Sequence, residues 1–249
     1  MIGIINPYRF EEKVDLLTGL ISAYDFNELP TDYTLIDNEG SNDFPFSGLP
    51  TVYPTQGETG VMSYSYLFDG TDDYIKRSSA DNNLTPVTNH SVSVWVKRAG
   101  AGSSATGYII SRWNLLVNDP FYYMSLNDSD VLIFSYADNT ITVKEISYSP
   151  GSDIWTGNWK HIVYTRSGTT MKLYVNGSLV STDTGGNGSA NQTSSTYCDT
   201  FGVSYISGSK AGYFNGYIDQ TAIWSIALSQ SQITELYNNG IGLVYTNWV

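Results

Sequence analysis

The sequence is short of most residues that support the common reaction chemistries. It has one cysteine, Cys198, and two histidines, His90 and His161, in 249 residues. A single thiol excludes an internal disulfide. Its place between Tyr197 and the apolar run Phe201 to Val203 predicts a buried, inert side chain. No His/Cys cluster is spaced for zinc, and neither histidine accompanies a G-x-S-x-G elbow. Positive charge is scarce: 12 Lys and Arg stand against 24 Asp and Glu, a formal net charge of -12. With no basic cluster to track phosphates, the composition argues against nucleic-acid binding. No apolar run is long enough for membrane insertion. The opening MIGIINPYRFEEKVDLL lacks the basic start and unbroken apolar stretch of a secretory signal, so the chain is expected to be leaderless.

What is present points to β-structure. Charged residues make up only 14%, against 20 Tyr and 23 Gly; many Tyr, Ser, Thr and Asn with frequent Gly suit strands joined by polar turns. Residues 1–18 read as an N-terminal arm, either packed on its own domain or docking onto a larger assembly. Residues 19–249 read as one domain. Its first strand is GLISAYDF, Gly19 to Phe26. A long loop follows, with Tyr33, Phe44 and Phe46 expected to hold it down. Val92, Val94 and Val96 alternate with Ser91, Ser93 and Trp95 in SVSVWVK. Shorter strands are expected over 108–113, 121–126, 131–136 and 140–147, and WKHIVYTR and MKLYV over 159–166 and 171–175. Asn176-Gly177 is the sharpest hairpin signal.

The stretch Gly212 to Gly240 organises the rest. Tyr217, Asp219, Thr221 and Ile223 fall on one side of an extended strand; Ile218, Ala222 and Trp224 fall on the other. Ser229 and Gln232 make an S-x-x-Q capping box. Ile233, Leu236 and Tyr237 follow at helical spacing, and Asn238, Asn239 and Gly240 supply the stop. The final IGLVYTNWV reads as an edge strand or a clasp.

GLISAYDF, LFDGTDDYI, SVSVWVK, WKHIVYTRSGTTMKLYVNGSLV and GYIDQTAIWS…ALS…ELY occur in this order over residues 19 to 240. Together they resemble the laminin-G-like domains of the concanavalin A-like lectin/glucanase superfamily. The resemblance implies an all-β fold: a two-sheet antiparallel jelly-roll sandwich with one short helix near the C-terminus. It also implies a structural calcium ion held by Asp25, by Gly70 with its neighbour Asp69, and by Asp219. The bland alternative is that Asp69, Asp72 and Asp73 only form a turn. The superfamily's glucanases carry E-x-D-x-E on a strand; this chain does not, so hydrolysis is not expected. His161, in the W-x-H position, is expected to be structural.

Sugar binding needs an exposed aromatic platform, for which Trp113, Tyr122, Tyr148 and Trp155 are the candidates, each also readable as core. A lone leaderless domain with an arm resembles accessory proteins of phage particles. The expectation is therefore a non-enzymatic structural and adhesion protein on the virion surface. It would touch other virion proteins through the arm or a lateral face and touch host glycans outward, alone or as a homo-oligomer. A free carbohydrate-binding lectin-like module, extracellular after non-classical release, is the alternative.

Overall fold

The computed structural model describes residues 14–46, 52–79, 84, 88–102, 104–114, 120–137, 142–185, 197–206 and 209–248. The first strands are β1 (Leu20–Tyr24), β2 (Thr34–Leu35), β3 (Phe44–Pro45), β4 (Thr55–Thr59), β5 (Tyr64–Asp69) and β6 (Ile75–Ser79). Next come β7 (His90–Arg98), β8 (Thr106–Asn114), β9 (Pro120–Asn127), β10 (Leu132–Ala137), β11 (Val143–Tyr148) and β12 (Lys160–Ser167). Then follow β13 (Thr170–Val175), β14 (Ser178–Asp183), β15 (Tyr197–Phe201), β16 (Ser204–Ile206), β17 (Ser209–Ala211), β18 (Asn215–Trp224) and helix α1 (Gln230–Tyr237).

One sheet runs β14-β13-β12-β7-β18-β5-β4, with β1 also on β18; the other runs β11-β10-β9-β8-β15-β6. The strand pairings are antiparallel, and the result is the expected jelly-roll sandwich. Among the described residues no helix is long and apolar enough to cross a membrane.

The alternation in β7 explains the layering. Val92, Val94 and Val96 enter the core between the sheets. Ser91, Ser93 and Trp95 occupy the opposite face, yet they too are buried. Trp95 stacks on His161 at 5.0 Å and on Tyr237 of α1 at 5.9 Å. The helix thus covers the sheet's outer face, and a strand buried on both faces can carry little charge.

Between the sheets, Tyr24, Phe26, Phe44, Tyr66 and Phe201 pack mostly edge to face, as ring quadrupoles prefer. A second cluster under α1 contains Leu16, Val163, Trp224, Ile233, Leu236 and Trp248. Ser229 caps α1 with the reciprocal Gln232 bond, and Asn238 ends it in the left-handed region at φ 44°. The C-terminal residues form a clasp: Trp248 stacks on Trp224 at 5.5 Å. Residues 14–18 of the expected arm join this cluster through buried Leu16; residues 1–13 lie outside the described residues.

Two details differ from expectation. Ile218 and Ile223 share the inner core, whereas Ala222 and Trp224 face the helix. An uninterrupted strand would have put Ile218 with Ala222 and Trp224. The register slips between Asp219 and Ala222, where Gln220 has φ 42°, and one extra residue inverts every later side chain. In the long loop, Phe44 and Phe46 pack on the core, but Tyr33 is 59% exposed.

Candidate functional site

The bulge in β18 builds an acidic junction. Asn215 to Ile218 pair with β5, Thr221 to Trp224 pair with β1, and Asp219 sits in the gap between those two neighbours. Asp219 is fully buried. Its Oδ2 accepts the Val61 N–H at 2.8 Å, and its Oδ1 has no hydrogen-bond partner among the described residues. Gly60 permits this approach: a Cβ there would lie 2.6 Å from Oδ2 and 2.2 Å from the Tyr64 carbonyl oxygen. Burial pushes the Asp219 carboxyl up to about 7, helped by the charge of Asp25 and opposed by the Val61, Met62 and Gln220 amides.

A buried carboxylate with one unmatched oxygen, close to a second carboxylate, fits a hard oxygen-seeking cation. Asp219 on β18 and Asp25 at the end of β1 are the residues that would hold such an ion.

Asp69 and Gly70 do not belong to that junction, which corrects the expected ligand set. Asn215 pairs with Asp69 and Ile218 with Tyr66; four residues of strand separate Asp69 from the level of Asp219, about 13 Å. Asp69, Asp72 and Asp73 instead cluster on their own turn, with ligand atoms within 4.8 Å of one another. Asp69 Oδ1 accepts the N–H groups of Thr71, Asp72 and Asp73, and Asp73 Oδ2 accepts that of Asp69 at 2.9 Å. Burial and the neighbouring aspartate charges push Asp73 up to about 7. These bonds account for the cluster as a turn.

The four expected platform residues do not converge. Trp155 is fully buried and donates its indole N–H to Asp130 O at 3.0 Å. Tyr122 lies inside the sandwich, in a cross-strand row with Tyr136, Arg112, Asp199 and Arg77. Arg112 and Asp199 form a buried ion pair there at 2.6 Å. Tyr148 is half-buried against the core. All three are packing residues, because their strand faces or loop turn inward. Trp113, 6% exposed, lies on the outward face of the six-stranded sheet and stacks parallel to Tyr123 at 6.1 Å.

That outward face holds residues the sequence reading missed. Glu145, Ser135, Tyr123, Ser111, Thr200 and Lys76 run across the sheet in register. Tyr108 meets Tyr123 edge to face at 5.2 Å, and Tyr123 donates its hydroxyl to Glu145 Oε1 at 2.7 Å. Burial and that carboxylate raise the Tyr123 phenol above its ordinary range. The Trp113 Nε1 and Ser125 Oγ are buried with no hydrogen-bond partner among the described residues. The half-buried Tyr108 and Tyr123 rings and the exposed Glu145 offer stacking and hydrogen bonding without a convergent acid pair, while the serines beneath are fully buried. The available signal was parity: Tyr122 alternates with core residues Met124 and Leu126, so Tyr123 had to face outward.

Neither histidine is available for nucleophilic chemistry. His161 Nε2 lies 2.8 Å from Ser93 Oγ, but both residues are buried, and burial lowers His161 to about 3. His90 is buried among Tyr164, Phe134 and Tyr136, lowered to about 3 by burial and then by Arg166. As expected, His161 packs: its ring stacks on both Trp95 and Tyr237.

The family model Laminin_G_3, of the concanavalin A-like lectin/glucanases superfamily, matches residues 69–234. The chain belongs to this family. No curated protein matches the chain by sequence. Among solved structures, the laminin-G-like chain is similar to the binding domain of Paraclostridial Mosquitocidal Protein 1, with TM-score 0.65, 16% identity, and coverage of 90% of this chain and 52% of that one. The binding domain of botulinum neurotoxin DC, solved with rat synaptotagmin II, gives 0.63, 19%, 92% and 52%. Domain 4 of AbnA, a GH43 extracellular arabinanase from Geobacillus stearothermophilus, solved with arabinotriose, gives 0.59, 20%, 90% and 98%. The chain thus spans about half the length of the toxin binding domains and nearly all of the arabinanase domain.

Proposed function

We propose that this laminin-G-like sandwich is a non-enzymatic binding module for glycans, with calcium as a structural ion at Asp219 and Asp25. The observation that carries the reading is the outward face of the six-stranded sheet. There Tyr108, Tyr123 and Trp113 stand over Ser111, Ser125 and Ser135, and the nearest carboxylate, Glu145, is engaged by the Tyr123 hydroxyl. A polyol can lay a C–H face on the half-buried Tyr108 and Tyr123 rings and hydrogen-bond the exposed Glu145, and nothing in the row makes a pair of acids for bond cleavage. Ligand-binding domains of the same architecture, one of them solved with arabinotriose, support this reading.

A glycan array probed with wild type and Tyr123→Ala tests it. Loss of retention on a set of glycans by Tyr123→Ala is expected. Equal retention by both would remove the sheet face, and turnover of a β-glucan would remove the non-enzymatic part. Placement on a phage particle, with the N-terminal residues or a lateral face docking on other virion proteins, is proposed from the resemblance. Antibody labelling of intact particles tests it, and label found only in the soluble fraction would end it.

A further inference from the structure

Tyr33 is the most exposed aromatic ring among the large hydrophobic side chains described, at 59%, and its backbone is tied down. The turn before it is closed twice: the Asp32 N–H donates to Leu29 O at 2.8 Å, and the Leu29 N–H donates to Asp32 Oδ2 at 3.1 Å. The Tyr33 carbonyl accepts the Phe46 N–H at 2.8 Å, and Phe46 packs on Tyr53 at 4.9 Å. A fixed backbone that leaves a large ring in water gains nothing for the core. Such a ring suits a contact with something outside the chain.

The ring stands between two clefts. One, of about 450 Å³, is lined by Glu28, Thr31, Asp32, Tyr33 and Ile36. The other, of about 270 Å³, is lined by Pro30, Tyr33, Tyr53, Pro54 and Gln56. Hydrogen bonds stiffen the floor: Tyr66 donates its hydroxyl to Glu28 Oε2 at 2.8 Å, and Gln56 Nε2 donates to Asp32 O at 3.0 Å and to the Tyr66 hydroxyl at 2.9 Å. With the Gln56 amide N–H groups turned inward, the rim offers a ligand mainly acceptors, namely the Gln56 carbonyl oxygen and the Asp32 and Glu28 carboxylates. The chain carries a net charge of -12, so an anionic ligand meets repulsion both locally and at long range.

We propose that the paired clefts astride Tyr33 form a second saccharide site, distinct from the sheet face, for sugar rings without acidic substituents. The ring supplies the stacking surface, Pro30, Pro54 and Tyr53 the apolar walls, and Asp32, Glu28 and Gln56 the acceptors for sugar hydroxyls.

An array of neutral and sialylated oligosaccharides, probed with wild type, Tyr33→Ala, Tyr33→Trp and Tyr123→Ala, tests this. Loss of the Tyr33 ring should weaken binding to a subset of neutral glycans about tenfold, the worth of one aromatic contact. Tyr33→Trp should keep it, and that subset should still bind Tyr123→Ala. Melting temperatures should match, since Tyr33 packs on nothing in the core. Wild-type-like binding by Tyr33→Ala overturns the second site and leaves the sheet face standing. So does Tyr33-dependent binding of sialylated glycans alone, or of a basic peptide in place of any sugar. If wild type binds no glycan on the array, both sites fall.

Discussion

Trp224 donates its indole N–H to the carbonyl of Leu16 at 2.8 Å, joining residues 208 positions apart. Trp248 stacks on the same indole, and its carbonyl accepts the Leu16 N–H at 3.4 Å. The start and the end of the described chain are therefore clasped over the outer face of one sheet. Trp224→Phe keeps a ring but leaves a buried carbonyl short of a donor, and should cost about 1–3 kcal/mol. Trp248→Ala removes a whole buried ring and should cost about 3–5 kcal/mol. Urea unfolding midpoints compare them; equal midpoints for all three proteins would show that the clasp does not contribute.

Asp219 makes stability depend on pH in a definite direction. Its carboxyl titrates at about 7 in the folded chain against an ordinary 3.8, so the native state holds a proton that the unfolded chain releases. The stabilisation is complete below about 4 and is lost as pH rises through about 7. A calcium ion would replace the proton above that range. In chelator, Asp219→Asn should therefore be the more stable protein at pH 8. With calcium, wild type should gain and Asp219→Asn should not. Asp73, also at about 7, acts with the same sign in both proteins, so the difference between their melting curves isolates Asp219. A wild type indifferent to chelator at pH 8 would take the ion away.

The architecture was legible because alternation and turn chemistry are local. SVSVWVK, the Ser229–Gln232 box and Asn176-Gly177 each need only a few neighbours to be read. The site was less legible because it depends on long-range register. One residue with positive φ, Gln220, inverts the facing of Ala222 and Trp224, and no local pattern announces it. Asp219 could be singled out from its strand. That Asp69 lies a strand's length away follows only from the pairing of β5 with β18. Tyr122 and Trp155 read equally as platform or core, because an aromatic residue on a half-buried strand or loop carries no mark of which layer it faces. Tyr33, grouped with Phe44 and Phe46 as ballast for one loop, is the member that faces water.

The Asn176-Gly177 turn is a sharp test of local geometry. Both residues have positive φ, 50° and 75°, as a two-residue hairpin of this hand requires. A Cβ on Gly177 would also meet Tyr237 Cδ1 at 3.1 Å. Gly177→Ala should destabilise by about 1–3 kcal/mol through backbone strain and displacement of the last helical turn. Gly151, at φ 75° with nothing within 4 Å, serves as the control for strain alone. Thermal melts that rank Gly151→Ala at or below Gly177→Ala would show that the Tyr237 contact yields without cost.

The ion pair inside the sandwich separates stability from binding. Arg112 Nη1 lies 2.6 and 2.8 Å from the two Asp199 oxygens, and Arg77 reaches the same carboxylate at 3.3 Å. Asp199→Asn removes the negative charge that both guanidinium groups face and should cost about 3–5 kcal/mol. The row faces the core, whereas Tyr123 and Tyr33 face outward, so glycan affinity of the folded fraction should be unchanged. Binding isotherms taken well below the melting point, corrected for the folded fraction, check this. An affinity that falls along with stability would mean that the interior row helps set the geometry of the sheet's outer face.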